Sequence, residues 1–260
     1  MQIVSWNVNS IRVRLEQLTS WILQESPDLL AIQETKVEDK DFPESAFQDI
    51  GYKCFFAGQK SYNGVAIIVR DNTSCYLLTP PKFPDQQKRF LGVNINGVDY
   101  VNVYVPNGSS VGSDKYLYKL EWLRVFEAWV GSRLEKNQNM VLMGDFNIAP
   151  KDIDVHDPKA WRGKILCTDS ERSVIKNLEM LGFTDAFRLF NQNGGQFSWW
   201  DYRLNGFKRN LGLRIDLVLT SRNVTTQVTE VLIDKRLREL SRPSDHAMVI
   251  TQIEDLGSAQ

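Results

Sequence analysis

The chain has 260 residues, a net charge of −1 and three cysteines, which is enough length for a sizeable core in one large domain or two small ones. No apolar stretch approaches the roughly 18 to 20 residues that a membrane span needs, and no basic segment leads into an apolar signal core, so a cytoplasmic protein is expected. Cys54, Cys75 and Cys167 lack metal-ligand spacing and cannot all pair, as expected of thiols kept reduced.

Residues 2–8 read as a strand, and the stretch that follows sets Ile11, Leu15, Leu18 and Ile22 on one helical face. Leu29 to Ile32 is a second short, turn-bounded strand. Phe90 to Ile95 and Val98 to Val105 flank Asn96-Gly97, a two-residue type I′ hairpin signal that requires antiparallel pairing. In a helix near 115–134, Leu120, Leu123, Phe126 and Val130 recur at three- and four-residue steps, and Met140 to Met143 then reads as a buried strand. A further helix near 170–181 follows Cys167-Thr168-Asp169, and strands over 214–220, 228–233 and 247–253 complete the order. Mixed sheets covered by helices are compatible with this order. No linker or low-complexity tract interrupts it, so a single domain over residues 1–260 is expected.

Four segments place polar groups just after apolar runs: Trp6-Asn7-Val8-Asn9, Gln33-Glu34-Thr35-Lys36, Gly144-Asp145-Phe146-Asn147 and Ser244-Asp245-His246. In α/β sheets ligands gather beyond strand ends. Alternation along the strand puts Asp145 and Asn147 on one side and Phe146 on the other. Carboxylates with neutral oxygens suit a hard cation such as Mg²⁺ rather than zinc. A phosphodiester demands an activated water, donors on its charged oxygens and help for the departing oxygen, and a divalent ion serves several of these needs. Glu34 is the expected metal ligand, assisted directly or through water by Asn7 and Asp245. Asp145 is expected to orient or deprotonate the attacking water, and Asn147 to donate to the phosphate without adding negative charge. The bland alternative is an Asx-type turn closing the strand.

The motifs SWNVNSIR (5–12), LLAIQETK (29–36), YNGVAI (62–67), VNVYVPNG (101–108), MGDFNIAP (143–150), FSWWDYR (197–203), GLRIDLVLTS (212–221) and RPSDHA (242–247) together resemble the exonuclease III family of apurinic/apyrimidinic (AP) endonucleases, within the DNase I-like superfamily. FSWWDYR followed by GLRID is most similar to the bacterial exonuclease III branch. The resemblance implies a four-layered α/β sandwich, with two mixed sheets packed together and flanked by helices. It implies a Mg²⁺-dependent DNA repair nuclease, with Mn²⁺ able to substitute. Such an enzyme cleaves the phosphodiester 5′ to abasic sites and trims or cleans 3′ termini of double-stranded DNA, acting as a monomer at abasic sites, nicks and 3′ ends.

By the same resemblance His246 pairs with Asp216, which would favour the charged imidazole, and Tyr104 and Asn107 lie on the phosphate side. Trp199 becomes a wall of the pocket for an extruded abasic sugar, with Leu213 and Ile215 nearby, and Arg203 a DNA-backbone contact. Trp199 and Trp200 are adjacent in a strand and so face opposite sides. His156 matches no motif and receives no role. A net charge of −1 leaves DNA affinity to local asymmetry. Arg203, Lys208, Arg209 and Arg214 form one basic run, and Lys235, Arg236, Arg238 and Arg242 another. Loops 107–113 and 151–168 match nothing. A phosphatase or sphingomyelinase of the same superfamily would share Glu34, Asp145, Asn147, Asp216 and His246, and a DNA-binding module without catalysis is the alternative from another class.

Overall fold

The computed structural model describes residues 1–254. Strand β1 (Gln2–Asn7), helix α1 (Ile11–Glu25) and β2 (Leu29–Gln33) are followed by α2 (Glu44–Gln48), β3 (Tyr52–Ala57), β4 (Val65–Arg70) and β5 (Cys75–Leu77). Then come β6 (Phe90–Ile95), β7 (Val98–Tyr104), α3 (Asp114–Leu134), β8 (Met140–Asp145), α4 (Pro158–Trp161) and α5 (Asp169–Met180). The last part holds β9 (Phe183–Asp185), α6 (Ala186–Phe190), β10 (Trp199–Trp200), β11 (Gly212–Leu213), β12 (Asp216–Ser221), β13 (Val228–Asp234) and β14 (Met248–Ile253).

One six-stranded sheet runs β13-β14-β1-β2-β4-β3 and the other β5-β6-β7-β8-β12-β9. Both are mixed, because β1 pairs with β2, and β7 with β8, in parallel while the remaining neighbours are antiparallel. Parallel neighbours need a crossover, and α1 and α3 supply it. The central core lies between the sheets, where Ile3, Leu29, Ala31, Ile67 and Val69 meet Val93, Tyr100, Val141, Met143 and Val218. On the outer face of the second sheet, α3 and α5 bury Trp122, Phe126, Val174 and Leu178 against Leu142, Phe146 and Leu217. On the outer face of the first, α1 buries Leu18, Trp21 and Ile22 against Val4, Leu30 and Ile68. The layers are therefore helix, sheet, sheet, helix, and strands covered on both faces explain the continuous apolar runs. Among the described residues no helix is long and apolar enough to cross a membrane.

The expected strand over 214–220 starts two residues later, as β12, and a separate short strand, β11, precedes it. β11 pairs with β10 in a small ribbon, whereas β12 begins at Asp216 in the second sheet. Between them the chain changes partners: the Arg214 N–H donates to the Asp154 carbonyl, and the Ile215 and Asp216 N–H groups donate to Ser198 Oγ. That crossing places Asp216 directly opposite Asp145.

Candidate active site

Five strand ends converge. Parallel β1 and β2 finish side by side at Asn7 and Gln33, which puts Glu34 just beyond the sheet. In the second sheet β7 ends at Tyr104, opposite Asp145 at the end of β8. Because β12 runs antiparallel to β8, its first residue, Asp216, sits at the same edge. The segment before β14 brings His246 there too, with Trp199 of β10 as its bridge partner. Gly144 makes the last turn of β8 possible: at φ +143 a side chain there would meet the Val103 carbonyl oxygen of β7 at 2.0 Å.

Asn7 joins the two acids, its Nδ2 donating to Glu34 Oε1 and Asp145 Oδ2, both at 2.9 Å. The Asn147 N–H donates to Asp145 Oδ1 at 2.9 Å, so the Asx turn is real and serves to orient the carboxylate. Asn107 Nδ2 donates to Asn147 Oδ1 at 3.0 Å, and Asn147 Nδ2 to the Val105 carbonyl. His246 Nδ1 lies 2.9 Å from Asp216 Oδ2, while its Nε2 faces Asp145 Oδ2 at 3.8 Å. Ligand atoms of Glu34, Asp145 and His246 all fall within 4.8 Å of one another. A match of residues 4–246 to the family model described as Endonuclease/Exonuclease/phosphatase family decides the affiliation.

The chain belongs to the endonuclease/exonuclease/phosphatase family.

Among curated relatives it is 32% identical to exodeoxyribonuclease III of Haemophilus influenzae, over 96% of this chain and 98% of that one. Among solved structures it resembles the NExo 3′ phosphatase from Neisseria bound to a product DNA hairpin, at 39% identity and a TM-score of 0.93, covering 98% of this chain and 99% of that one. It also resembles an AP endonuclease from Archaeoglobus fulgidus, at 34% identity and a TM-score of 0.92, with the same coverage of both chains.

Electrostatics at this family site follow from burial. Burial, with Asp216 and Glu34 nearby, pushes Asp145 up to about 7 against the opposing pull of His246 and Asn7. Burial disfavours a charged His246, yet Asp216 and Asp145 outweigh it and carry the ring up to about 10. A protonated imidazole has no lone pair for a metal. Of the three clustered groups, therefore, the Glu34 and Asp145 carboxylates fit a hard divalent cation. Burial also opposes ionised Glu34, but Lys36 at 2.8 Å and Asn7 hold its carboxyl below the usual range. Burial together with the Glu34 and Asp145 carboxylates keeps the Tyr104 hydroxyl well above the ordinary phenol range, so it remains a donor.

Asp245 is bonded to residues outside the cluster of Glu34, Asp145 and His246. Its oxygens accept from Asn9 Nδ2 at 2.8 Å and from Trp199 Nε1 at 2.9 Å. Trp199 packs with Leu213 and Ile215 and stays half-buried, whereas Trp200 turns the other way and is fully buried with Phe197 and Ala247. Arg203 is exposed and ion-paired with Asp201. The basic runs need correction. Arg214 is 1% exposed and bridges Asp154 and Asp185. Arg238 is buried over the Tyr202 and Phe207 rings, and Arg236 pairs with Asp234 and Glu25. Lys208, Arg209 and Arg242 remain exposed.

Several residues that support the site gave no signal alone. Asn9 and Lys36 lie inside quoted motifs; Asn9 acts through the distant Asp245 and Lys36 through its neighbour Glu34. Lys119 and Glu171 form a buried ion pair behind Asn147. Only Glu171 could have been found, since Thr168-x-x-Glu171 has capping-box spacing and forms one.

Proposed function

We propose that this chain is a Mg²⁺-dependent DNA repair nuclease, one catalytic domain over residues 1–260 that works as a monomer in the cytoplasm. It hydrolyses the phosphodiester 5′ to abasic sites and, on duplex DNA, trims 3′ ends and removes 3′ blocking groups. The observation that carries this reading is the junction of Glu34, Asp145 and a His246–Asp216 pair at one edge of both sheets. The close structural likeness to a 3′ phosphatase holding product DNA supports a DNA substrate.

Glu34 and Asp145 would hold the cation, Mg²⁺ or in its place Mn²⁺, with Asn7 keeping the two carboxylates at a fixed separation. Bound there, it would supply positive charge to the phosphate and the departing oxygen. Asp145, held in place by the Asn7 amide and the Asn147 N–H, orients the attacking water and takes its proton. His246, kept cationic by Asp216, offers Nε2–H to a phosphate oxygen. Tyr104, Asn107 and Asn147 are neutral donors for the remaining oxygens, and their fixed positions spare reorganisation during reaction. Asp245 orients Trp199, which with Leu213 and Ile215 forms the apolar wall for an extruded abasic sugar. Arg203, after exchanging Asp201 for a phosphate, contacts the DNA backbone.

Abasic, nicked and 3′-phosphate duplexes, assayed beside soluble phosphoesters with Mg²⁺ and with chelator, test this function. Metal-dependent turnover of the duplexes is expected. Turnover confined to soluble phosphoesters would assign a phosphatase, and duplex binding without turnover a DNA-binding module.

A further inference from the structure

Lys119 of α3 is wholly buried, a rare state for lysine because an ammonium loses its hydration there. It makes three bonds, to Glu171 Oε1 at 2.5 Å, the Asn147 carbonyl at 2.7 Å and the Asn107 carbonyl at 3.2 Å. Packing alone does not require such a group, since well-fitted apolar residues replace buried ion pairs at little or no cost in stability. What an apolar side chain could not do is hold two main-chain carbonyls from separate loops at one point.

Those carbonyls belong to the residues whose side-chain amides bond each other beside Asp145. Asn147 also sits at φ 48, a left-handed conformation that persists only where its surroundings over-determine it. Glu171 draws in the loop from the other side, accepting from the Leu166 N–H, the Thr168 N–H and the Thr168 hydroxyl. Gly108 completes the fit, since a Cβ there would meet Ile165 Cδ1 at 2.9 Å and Lys119 Cδ at 3.1 Å. Loops 107–113 and 151–168 thus share one buried anchor.

We infer that Lys119, held by Glu171, is a positioning residue for phosphodiester hydrolysis: it sets the spacing of the Asn107 and Asn147 amides that receive the phosphate. The inference rests on the reading of Asn147 as a phosphate donor. Lys119→Met alone would strand a buried carboxylate, so the working variant is Lys119→Met with Glu171→Gln, which is neutral and whose single amide oxygen keeps the two Thr168 bonds while the Leu166 N–H loses its partner. Single-turnover rates and duplex KM are measured with Mg²⁺ on an abasic duplex for this variant, for Asn147→Ala and for their combination. Circular dichroism confirms folding.

A misplaced donor should lower kcat by roughly 10- to 100-fold while duplex KM changes less than about 2-fold. The combined variant should be slower than Asn147→Ala by much less than the full Lys119→Met/Glu171→Gln loss, because the Asn147 part of that loss is shared and only the Asn107 part adds. A wild-type kcat in the folded Lys119→Met/Glu171→Gln variant, or losses that multiply, would overturn the inference. Should that variant not fold, Lys119→Arg keeps the charge with a different reach and should be folded yet slow, and full speed would overturn the inference equally. A normal rate for Asn147→Ala alone would remove the donor role on which the inference rests, a failure distinguishable from the others.

Discussion

One imidazole joins two neighbouring strands: His246 Nδ1 lies 2.9 Å from Asp216 Oδ2 on β12, and Nε2 lies 3.8 Å from Asp145 Oδ2 on β8. Burial works against the charged ring, but the two carboxylates raise its pKa to about 10. In chelator, NMR should show His246 charged well past neutrality, and Asp216→Asn should lower its titration by roughly one to three units. The folded protein holds this proton more tightly than the unfolded chain does. Its stabilising contribution is therefore complete below about pH 6.5 and disappears as pH rises through about 10. Melting temperatures in chelator should fall between pH 6.5 and 10 more steeply for the wild type than for His246→Gln. Parallel profiles would mean that the ring is neutral in the folded protein.

In the proposed function the wall formed by Trp199, Leu213 and Ile215 would serve selection rather than hydrolysis. An abasic sugar has no base to stack and leaves the duplex at small cost, so an apolar pocket can select it. Trp199→Ala should reduce abasic-site incision roughly 5- to 150-fold, the equivalent of about 1 to 3 kcal/mol for an aromatic contact. Removal of a 3′-phosphate, which needs no extruded sugar, should change far less. Equal losses on both substrates would assign Trp199 to packing alone.

Arg214 belongs to the framework. Its guanidinium meets Asp154 and Asp185 at 2.6 Å each, and Arg188 also reaches Asp154. Removing it leaves Asp154 with Arg188 alone and takes from Asp185 its Arg214 partner. Arg214→Met should cost about 3 to 5 kcal/mol in chemical denaturation. A loss below about 1 kcal/mol would show that the pocket opens to water without it.

Much of this was legible in the amino-acid order. Asn96 and Gly97, at φ 49 and 81, adopt the left-handed pair that a type I′ turn requires, and β6 and β7 pair across them as expected. Strands covered on both faces become continuous apolar runs, and each run ends where its chain reaches the polar edge, which is why the motifs mark the site. Arg214 shows where reading stops. A basic run counts charges without direction, and the acids that draw Arg214 inward are 60 and 29 residues away. Lys119 and Glu171, 52 residues apart, become partners only because α3 and α5 pack side by side. That Asp245 also accepts from Trp199 was not legible, because only the ribbon of β10 and β11 brings the indole within hydrogen-bonding reach of it.

In the proposed function Glu34 and Asp145 together would hold the cation and activate water at one phosphodiester. Single-turnover incision of an abasic duplex across a Mg²⁺ titration, for wild type, Glu34→Ala and Asp145→Asn, tests it most directly. Glu34→Ala should lose roughly 100-fold or more and Asp145→Asn roughly 10²- to 10⁴-fold at saturating Mg²⁺, with both folded, both binding duplex, and wild-type activity abolished by chelator. Wild-type rates from either folded variant at every Mg²⁺ concentration, or undiminished wild-type incision in chelator, would contradict it.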